Sequence, residues 1–379
     1  MWKDIIKFCL KGSLLAPFFL QAETFQLDKI DTGIFVKADV IASSEPVSID
    51  QMVNGWRRGY RSGGEYAFAN AEWLIGANLF YSDSIKLSIA KDYRHYYYMT
   101  FGSDTADFFF HNENKIPYRP QYDIDLEVFN FVSRGVSFAA ETELTEWIPQ
   151  LDSEFKNLTL GSKITYYQPH KLQFGKLKGQ ALALDGGGIQ ASAVIDYTFN
   201  EDKILETDHD VNGNATGIDE GKGLSWDISA DVEWKDYRAY VELKDAVNQF
   251  TWENAWFLEG CINILNQGNG VACSTSGTSE GKSGRQKVSR TIPMTLTTLF
   301  DYTPWGARLS YQQHDRFYRF GMGKQFDSKV GKWGVFLYHP LQIGASWQYG
   351  AHKLEIAADD STYENMRNIQ LSFSTGWRF

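Results

Sequence analysis

The stretch "LSWDISADVEWKDYRAYVELK", residues 224–244, alternates between apolar and polar residues with a period of two. Leu224, Trp226, Ile228, Ala230, Val232 and Trp234 fall on one face, and Ser225, Asp227, Ser229, Asp231 and Glu233 on the other. Lys235 and Asp236 make a two-residue turn. The chain then returns with Tyr237, Ala239, Val241 and Leu243 opposite Arg238, Tyr240, Glu242 and Lys244. Successive side chains of a strand point to opposite faces, so the stretch reads as a β-hairpin with one apolar and one charged face. An unbroken apolar row backed by a row of charges fits lipid outside and water inside. Trp234 and Tyr237, beside the turn, suit an interfacial aromatic girdle.

The composition agrees with a chain made of many strands. Of 379 residues 15% are aromatic, with 33 Gly and only 9 Pro. No stretch approaches the roughly 18 uninterrupted apolar residues of a spanning helix, which excludes a helical membrane protein. Strand-like segments recur at 64–81, 85–100, 122–132, 136–147, 158–167, 172–184, 188–199, 223–234, 237–250, 290–302, 306–313, 316–326, 333–338, 341–349, 352–358 and 367–379. The expectation is an all-β fold, a transmembrane antiparallel barrel of about 14–16 strands, because the segments at 333–338 and 85–100 are the least regular. Counting back from a final strand that descends to the periplasm puts the turns at 235–236, 185–188 and 349–351 on the inner side. The same count puts the long connections 200–222 and 251–289 outside. The stretch 101–121 falls inside and is long for a periplasmic turn, which signals a misassigned strand nearby.

Both termini speak to export. Lys3, Lys7 and Lys11 precede the apolar run 14–20, and Ala22 suits a cleavage position, so residues 1–22 read as a secretory signal peptide. Their removal takes away Lys3, Lys7, Lys11 and Asp4 and moves the net charge from -10 to -12, which argues against nucleic-acid binding. The chain stops at "QLSFSTGWRF", with Leu371, Phe373, Thr375, Trp377 and Phe379 on one face. This ending resembles the last strand of bacterial outer-membrane β-barrels, which typically closes on an aromatic residue. The resemblance implies residence in the outer membrane of a Gram-negative bacterium, contact with its lipid, and a C-terminal signal (Phe373, Trp377, Phe379) read by the barrel-assembly machinery. The division that follows is 1–22 signal peptide, 23–63 N-terminal arm and 64–379 barrel.

Several further features bear on function. "SIDQMVNGWRRGYRSGG" in the arm begins with Ser48 as a candidate N-cap, and Ile49, Met52, Val53, Trp56 and Tyr60 share a helical face. One reading places this short helix in the lumen, where Arg57, Arg58 and Arg61 would meet inward Asp227, Asp231 and Glu233; the other leaves it in the periplasm. Together with Arg238, Glu242 and Lys244 these are the candidate pore-lining residues. Cys261 and Cys273 are the two cysteines left after signal removal, and an isolated pair in an oxidising compartment is expected to form a disulfide. "DHDVNGNATGID" (208–219) has calcium-loop spacing through Asp208, Asp210, Asn212, Asn214 and Asp219, without flanking helices. Either a weak Ca²⁺ site or a solvated acidic loop fits it. The seven His are dispersed and no catalytic motif stands in its required context, so an enzyme is not expected. A barrel this wide leaves a lumen, which points to a pore for small polar solutes. A plugged barrel serving as receptor, adhesin or export partner is the alternative.

Overall fold

A computed structural model describes residues 33–81, 84–148, 154–185, 188–199, 221–266 and 281–378. Sixteen antiparallel strands account for most of them: β1 (Gly33–Ser44), β2 (Tyr66–Tyr81), β3 (Ile85–Phe101), β4 (Gln121–Glu143), β5 (Asn157–Ala183), β6 (Ile189–Phe199), β7 (Lys222–Trp234), β8 (Tyr237–Asn266), β9 (Gly281–Arg290), β10 (Thr295–Tyr302), β11 (Ala307–His314), β12 (Phe317–Ser328), β13 (Gly331–His339), β14 (Gln342–Tyr349), β15 (His352–Ala358) and β16 (Asn368–Arg378). The sheet closes on itself because β1 pairs with β16, Gly33 opposite Arg378 and Ser43 opposite Asn368. Two columns of the wall each hold two strands. β7 fills the lower gap between β5 and β8 while β6 fills the upper one, and on the far side of β8 the lower strand is β10 and the upper is β9. The closed wall is therefore fourteen strands around. Among the described residues, closure leaves no unpaired edge within the apolar belt, as a bilayer requires.

Connections at the end bearing the two described termini are mostly short, such as 235–236, 329–330 and 350–351, whereas the opposite end carries 45–65 and 102–120. Short turns lie inside and long loops outside, so the termini mark the periplasmic end. Outward residues form a continuous apolar belt: Ile75, Phe138, Ile164, Trp226, Val241, Leu309, Met322, Leu337, Ile343 and Phe373 are all exposed. A belt of this extent far exceeds the apolar patches tolerated in water. No described helix is long and apolar enough to cross a membrane, so the strands alone supply the crossing.

The structure corrects several sequence expectations. Segment 33–44, expected in an arm ahead of the barrel, is wall strand β1, so the barrel begins before residue 64. Segments 122–132 and 136–143 belong to one 23-residue strand, with 144–147 a short helical turn after it, and 158–167 and 172–183 belong to one 27-residue strand. These two mergers shift the side count, which places both 102–120 and the turn after Ala183 at the outer end. The region 251–289 is not a free loop: β8 continues to Asn266 and β9 returns from Gly281. The upper parts of β4, β5, β6, β8 and β9 thus form a sheet that rises above the belt.

The arm helix exists, at Ile49–Asn54, with Ser48 Oγ accepting from the Gln51 N–H at 3.3 Å. It lies neither in the lumen nor in the periplasm. Ile49 packs on outward Ala42 and Ala69 at the outer rim, and Trp56 packs with Phe101 and Ala106. A second helix, Ser103–Asn114, covers outward Tyr122 and Ile124 of β4 through Phe108 and guards the β4 edge above the end of β3. There the Asp123 N–H donates to Asp104 at 3.2 Å, the Asp125 N–H donates to Thr105 Oγ1 at 2.8 Å, and the Gly102 N–H donates to the Asp125 carbonyl. Unpaired strand edges invite aggregation, and the first helical turn occupies this one.

Asp104 titrates below the ordinary carboxylate value of 3.8, chiefly because the Asp123 N–H donates to it, with Arg119 adding at 2.8 Å. A lowered carboxyl stabilises the fold above its ordinary value and loses that stabilisation as pH falls through its folded value. Amide exchange protection of 103–125 is expected to drop selectively below pH 3.8 while the barrel wall stays protected, and Asp104→Asn should show the drop already at neutral pH. Equal protection of the helix in both proteins at neutral pH would refute this role for Asp104.

Candidate functional site

Inward side chains divide the barrel into two zones. At the outer end Tyr66, Phe68, Tyr96, Tyr98, Phe129, Phe131, Tyr167, Leu172, Phe174, Phe250, Trp252, Val288, Ile292 and Phe317 make one buried cluster. These residues come from β2, β3, β4, β5, β8, β9 and β12, and from the β9–β10 link, so the layer crosses the barrel rather than lining it. Phe131 meets Phe250 at 4.7 Å between ring centres, and Phe68 meets Phe317 at 5.6 Å. Hydrogen bonds tie the opposite walls. Tyr96 OH lies 3.0 Å from His314 Nε2, and Tyr98 OH donates to Asp315 across the barrel. A fourteen-strand wall could leave an open lumen. Here its own aromatic side chains close it at the outer end.

Directly beneath lies a network of buried ion pairs. Arg94 on β3 grips Asp245 on β8 through two hydrogen bonds of 2.7 Å, with the two side chains 1% and 0% exposed. Asp245 reaches this position through a bulge, in which Lys244–Ala246 stand opposite the single residue Asp227. Its backbone is left-handed (φ 58), and its N–H donates to Asp227 Oδ1 at 2.7 Å. A bulge re-aims a side chain that regular alternation would send the other way. Ser225 Oγ donates to Asp245 at 2.6 Å, and Asp227 receives Lys163 at 3.0 Å. Lys163 also reaches Glu72 on β2 at 3.2 Å, and Lys244 pairs with the same Glu72. Glu72 therefore bridges across the barrel to β5 and β8.

Below this network is a cavity of about 420 Å³. Its lining carries seven basic side chains (Lys37, Lys86, Lys163, Lys244, Arg308, Arg319, Lys353) and six acidic ones (Asp39, Glu72, Glu141, Asp227, Glu242, Glu355). The near balance favours no single sign of charge. On one wall Tyr338 lies flat across Gly321, its partner in the β12–β13 ladder. A Cβ on Gly321 would stand 2.4 Å from that ring, so only glycine allows the ring to reach beneath Arg319, whose guanidinium sits 4.3 Å above it.

Of the expected pore-lining residues, Asp227, Glu242 and Lys244 line the cavity. Asp231, Glu233 and Arg238 group among themselves nearer the periplasmic end, with Arg238 Nε 3.0 Å from Asp231. Arg57, Arg58 and Arg61 do not line the lumen: all three are exposed in the outer 45–65 connection, far from Asp227, Asp231 and Glu233. Cys261 is a free, exposed residue of β8 rather than of a loop, and Cys273 lies outside the described residues. Asp208, Asp210, Asn212, Asn214, Asp219, residues 1–22 and Phe379 also lie outside them, whereas Phe373 and Trp377 face lipid as expected. Sequence reasoning missed Arg94, Asp245, Glu72, Lys163 and Arg319.

An apolar outer belt, a charged interior and a closed wall of fourteen strands decide the class. The chain is an outer-membrane-type β-barrel. No protein-family model matches the barrel, and no curated protein does. Among solved structures it is similar to the siderophore receptor PirA from Pseudomonas aeruginosa, at 8% identity over 92% of this chain and 81% of that one, with a TM-score of 0.18. A bacterial polysaccharide outer-membrane secretin shares 7% identity over 91% and 98% of the two chains at a TM-score of 0.19, and Pseudomonas aeruginosa OpdL shares 9% over 92% and 98% at 0.16. Likenesses this distant decide nothing further; the barrel stands on its own strand register.

Proposed function

We propose that the barrel is a gated conduit for small polar solutes in the outer membrane of a Gram-negative bacterium, with the aromatic layer as its gate. One observation carries the reading: a charge-lined cavity ends against a layer built only from side chains of the barrel itself. Apolar constrictions shut a pore by excluding water, and side chains can move without refolding a domain. The full chain reconstituted in planar bilayers is expected to pass small ions in brief openings, with little preference for either sign. Absence of current from both the native protein and a Trp252→Ala variant would overturn the proposal.

The sheet above the belt supports a second reading, in which the outer end receives a partner and the lumen stays shut. Its inner face sets Asp125 and Glu127 against Lys178 and Lys176, at 3.4 and 3.1 Å. On this reading, reversing those four charges abolishes surface binding or assembly while the barrel still folds. Residues 1–22 are proposed to direct export, and 208–219 to hold a calcium ion. Calorimetry on the full chain should then record Ca²⁺ uptake that Asp208→Asn with Asp210→Asn removes.

A further inference from the structure

The basic side chains around the cavity are not equivalent. Lys86 pairs with Glu141 at 2.9 Å, Lys163 with Asp227 at 3.0 Å, Lys244 with Glu72, and Arg308 with Asp301 at 2.6 Å. Arg319 differs from these. It is only 6% exposed, yet among the described residues no hydrogen bond or ion pair reaches its guanidinium. Glu355, the nearby acid, accepts instead from Tyr338 OH at 3.3 Å and lies 3.8 Å from Lys353. A guanidinium withdrawn from water and left unpaired is costly, so a fold that keeps one has a use for it or loses stability by it.

The surroundings give the geometry of that use. The Tyr338 ring centre lies 4.3 Å from the guanidinium and takes none of its N–H groups, and Nη1 is buried with no acceptor among the described residues; such N–H groups match a carboxylate two at a time. Gln312, directly opposite Arg319 in the β11–β12 ladder, has a buried Oε1 with no donor. Cross-strand neighbours of this kind lie about 5 Å apart at Cβ, within the span of one small molecule. Gln370 Oε1 on β16 is a further buried acceptor without a donor in the lining of the same cavity. A buried cation beside buried acceptors wants a ligand that brings both an anion and a donor.

We propose that Arg319 and Gln312 form a receiving site in the lumen for a small carboxylate carrying an adjacent hydrogen-bond donor, the chemistry of a hydroxy- or amino-carboxylate. The carboxylate takes the unpartnered N–H groups of Arg319, and the hydroxyl or ammonium donates to Gln312 Oε1. A cavity of about 420 Å³ has room for such a solute. The site names the solute class of the conduit and rests on that reading for its route of access, but binding at it does not require the gate to open.

Titration calorimetry on the full chain in detergent tests the site directly, with lactate, glycine, acetate and lactamide as probes. Lactate and glycine should bind measurably, acetate more weakly and lactamide not at all. Arg319→Gln should weaken lactate roughly tenfold or more, the size of one lost charge-assisted contact, with Arg319→Lys falling between. Gln312→Leu should weaken lactate while leaving acetate unchanged. Gly321→Val, which displaces Tyr338, should weaken all the carboxylates. A separate readout excludes a merely structural Arg319: Arg319→Met relieves an unpaired buried charge and should raise the melting temperature, whereas a structural arginine would lower it. Equal lactate binding by native protein and Arg319→Gln, or lactamide binding as well as lactate, overturns the site even if the bilayers conduct. Carboxylate binding without conductance overturns the conduit and leaves the site standing.

Discussion

Replacing Trp252 and Phe131 together by alanine is expected to raise bilayer conductance on the order of tenfold, because it opens a water-sized path through the aromatic layer. Trp252 is fully buried and Phe131 packs against Phe250 at 4.7 Å and Trp252 at 6.4 Å, so the two sit side by side in the layer. Each truncation costs about 3–5 kcal/mol of stability in an ordinary core. The double variant must therefore be shown to keep the strand content of the native barrel by circular dichroism before its current is compared. A gentler variant probes the same layer: Tyr98→Phe with Tyr96→Phe removes the cross-barrel hydrogen bonds to Asp315 and His314 without removing the rings. It should lengthen openings with little change in their size. A folded Trp252/Phe131 double alanine barrel that conducts no better than the native protein would place the barrier elsewhere.

Asp245→Asn is expected to destabilise the barrel by about 3–5 kcal/mol, the cost of leaving one member of a buried ion pair without its partner. Asparagine tolerates the left-handed backbone at φ 58 as aspartate does, so the substitution isolates the charge from the bulge. Arg94 would then lie 1% exposed with a neutral amide where its carboxylate had been. Removing both charges, as Arg94→Met with Asp245→Asn, should recover much of the loss, since replacing an entire buried pair is often neutral. Urea unfolding in lipid vesicles measures both steps. Midpoints that coincide for native protein and Asp245→Asn would mean that the pair is neutralised or hydrated in the bilayer.

Alternation is local, and this is why the hairpin 224–244 could be read directly: one residue decides the face of the next. The same rule failed where the faces stop differing. Strand β9, "GKSGRQKVSR", stands above the lipid with polar residues on both sides, so it carries no apolar face to recognise. Strand β1 does alternate at Ile34, Val36, Ala38, Val40 and Ala42, but inward Phe35 and Ile41 blur the pattern. The run "HYYYM" at 95–99 is aromatic on both faces, and no counting within the strand tells which tyrosines meet lipid and which meet each other. The bulge that turns Asp245 inward has no sequence mark, since it exists only against the β7 ladder.

The class was legible before any folding: strand lengths, alternating faces and an aromatic C-terminus are properties of neighbouring residues and survive without a fold. One stripe of the lumen was legible in the same way, because Asp227, Glu242 and Lys244 share a face with one another along two adjacent strands. That the lumen is shut, and what meets inside it, emerges from the closed ring alone. Phe131 and Trp252, Arg94 and Asp245, Glu72 and Lys163 are separated by 91 to 151 residues in the last two pairs and by 121 in the first. Closing fourteen strands into a ring brings them together. Contacts across a ring depend on its circumference and register, which no single strand encodes. Arg319 belongs with them: that no acceptor among the described residues reaches its guanidinium is a fact about every wall of the cavity at once.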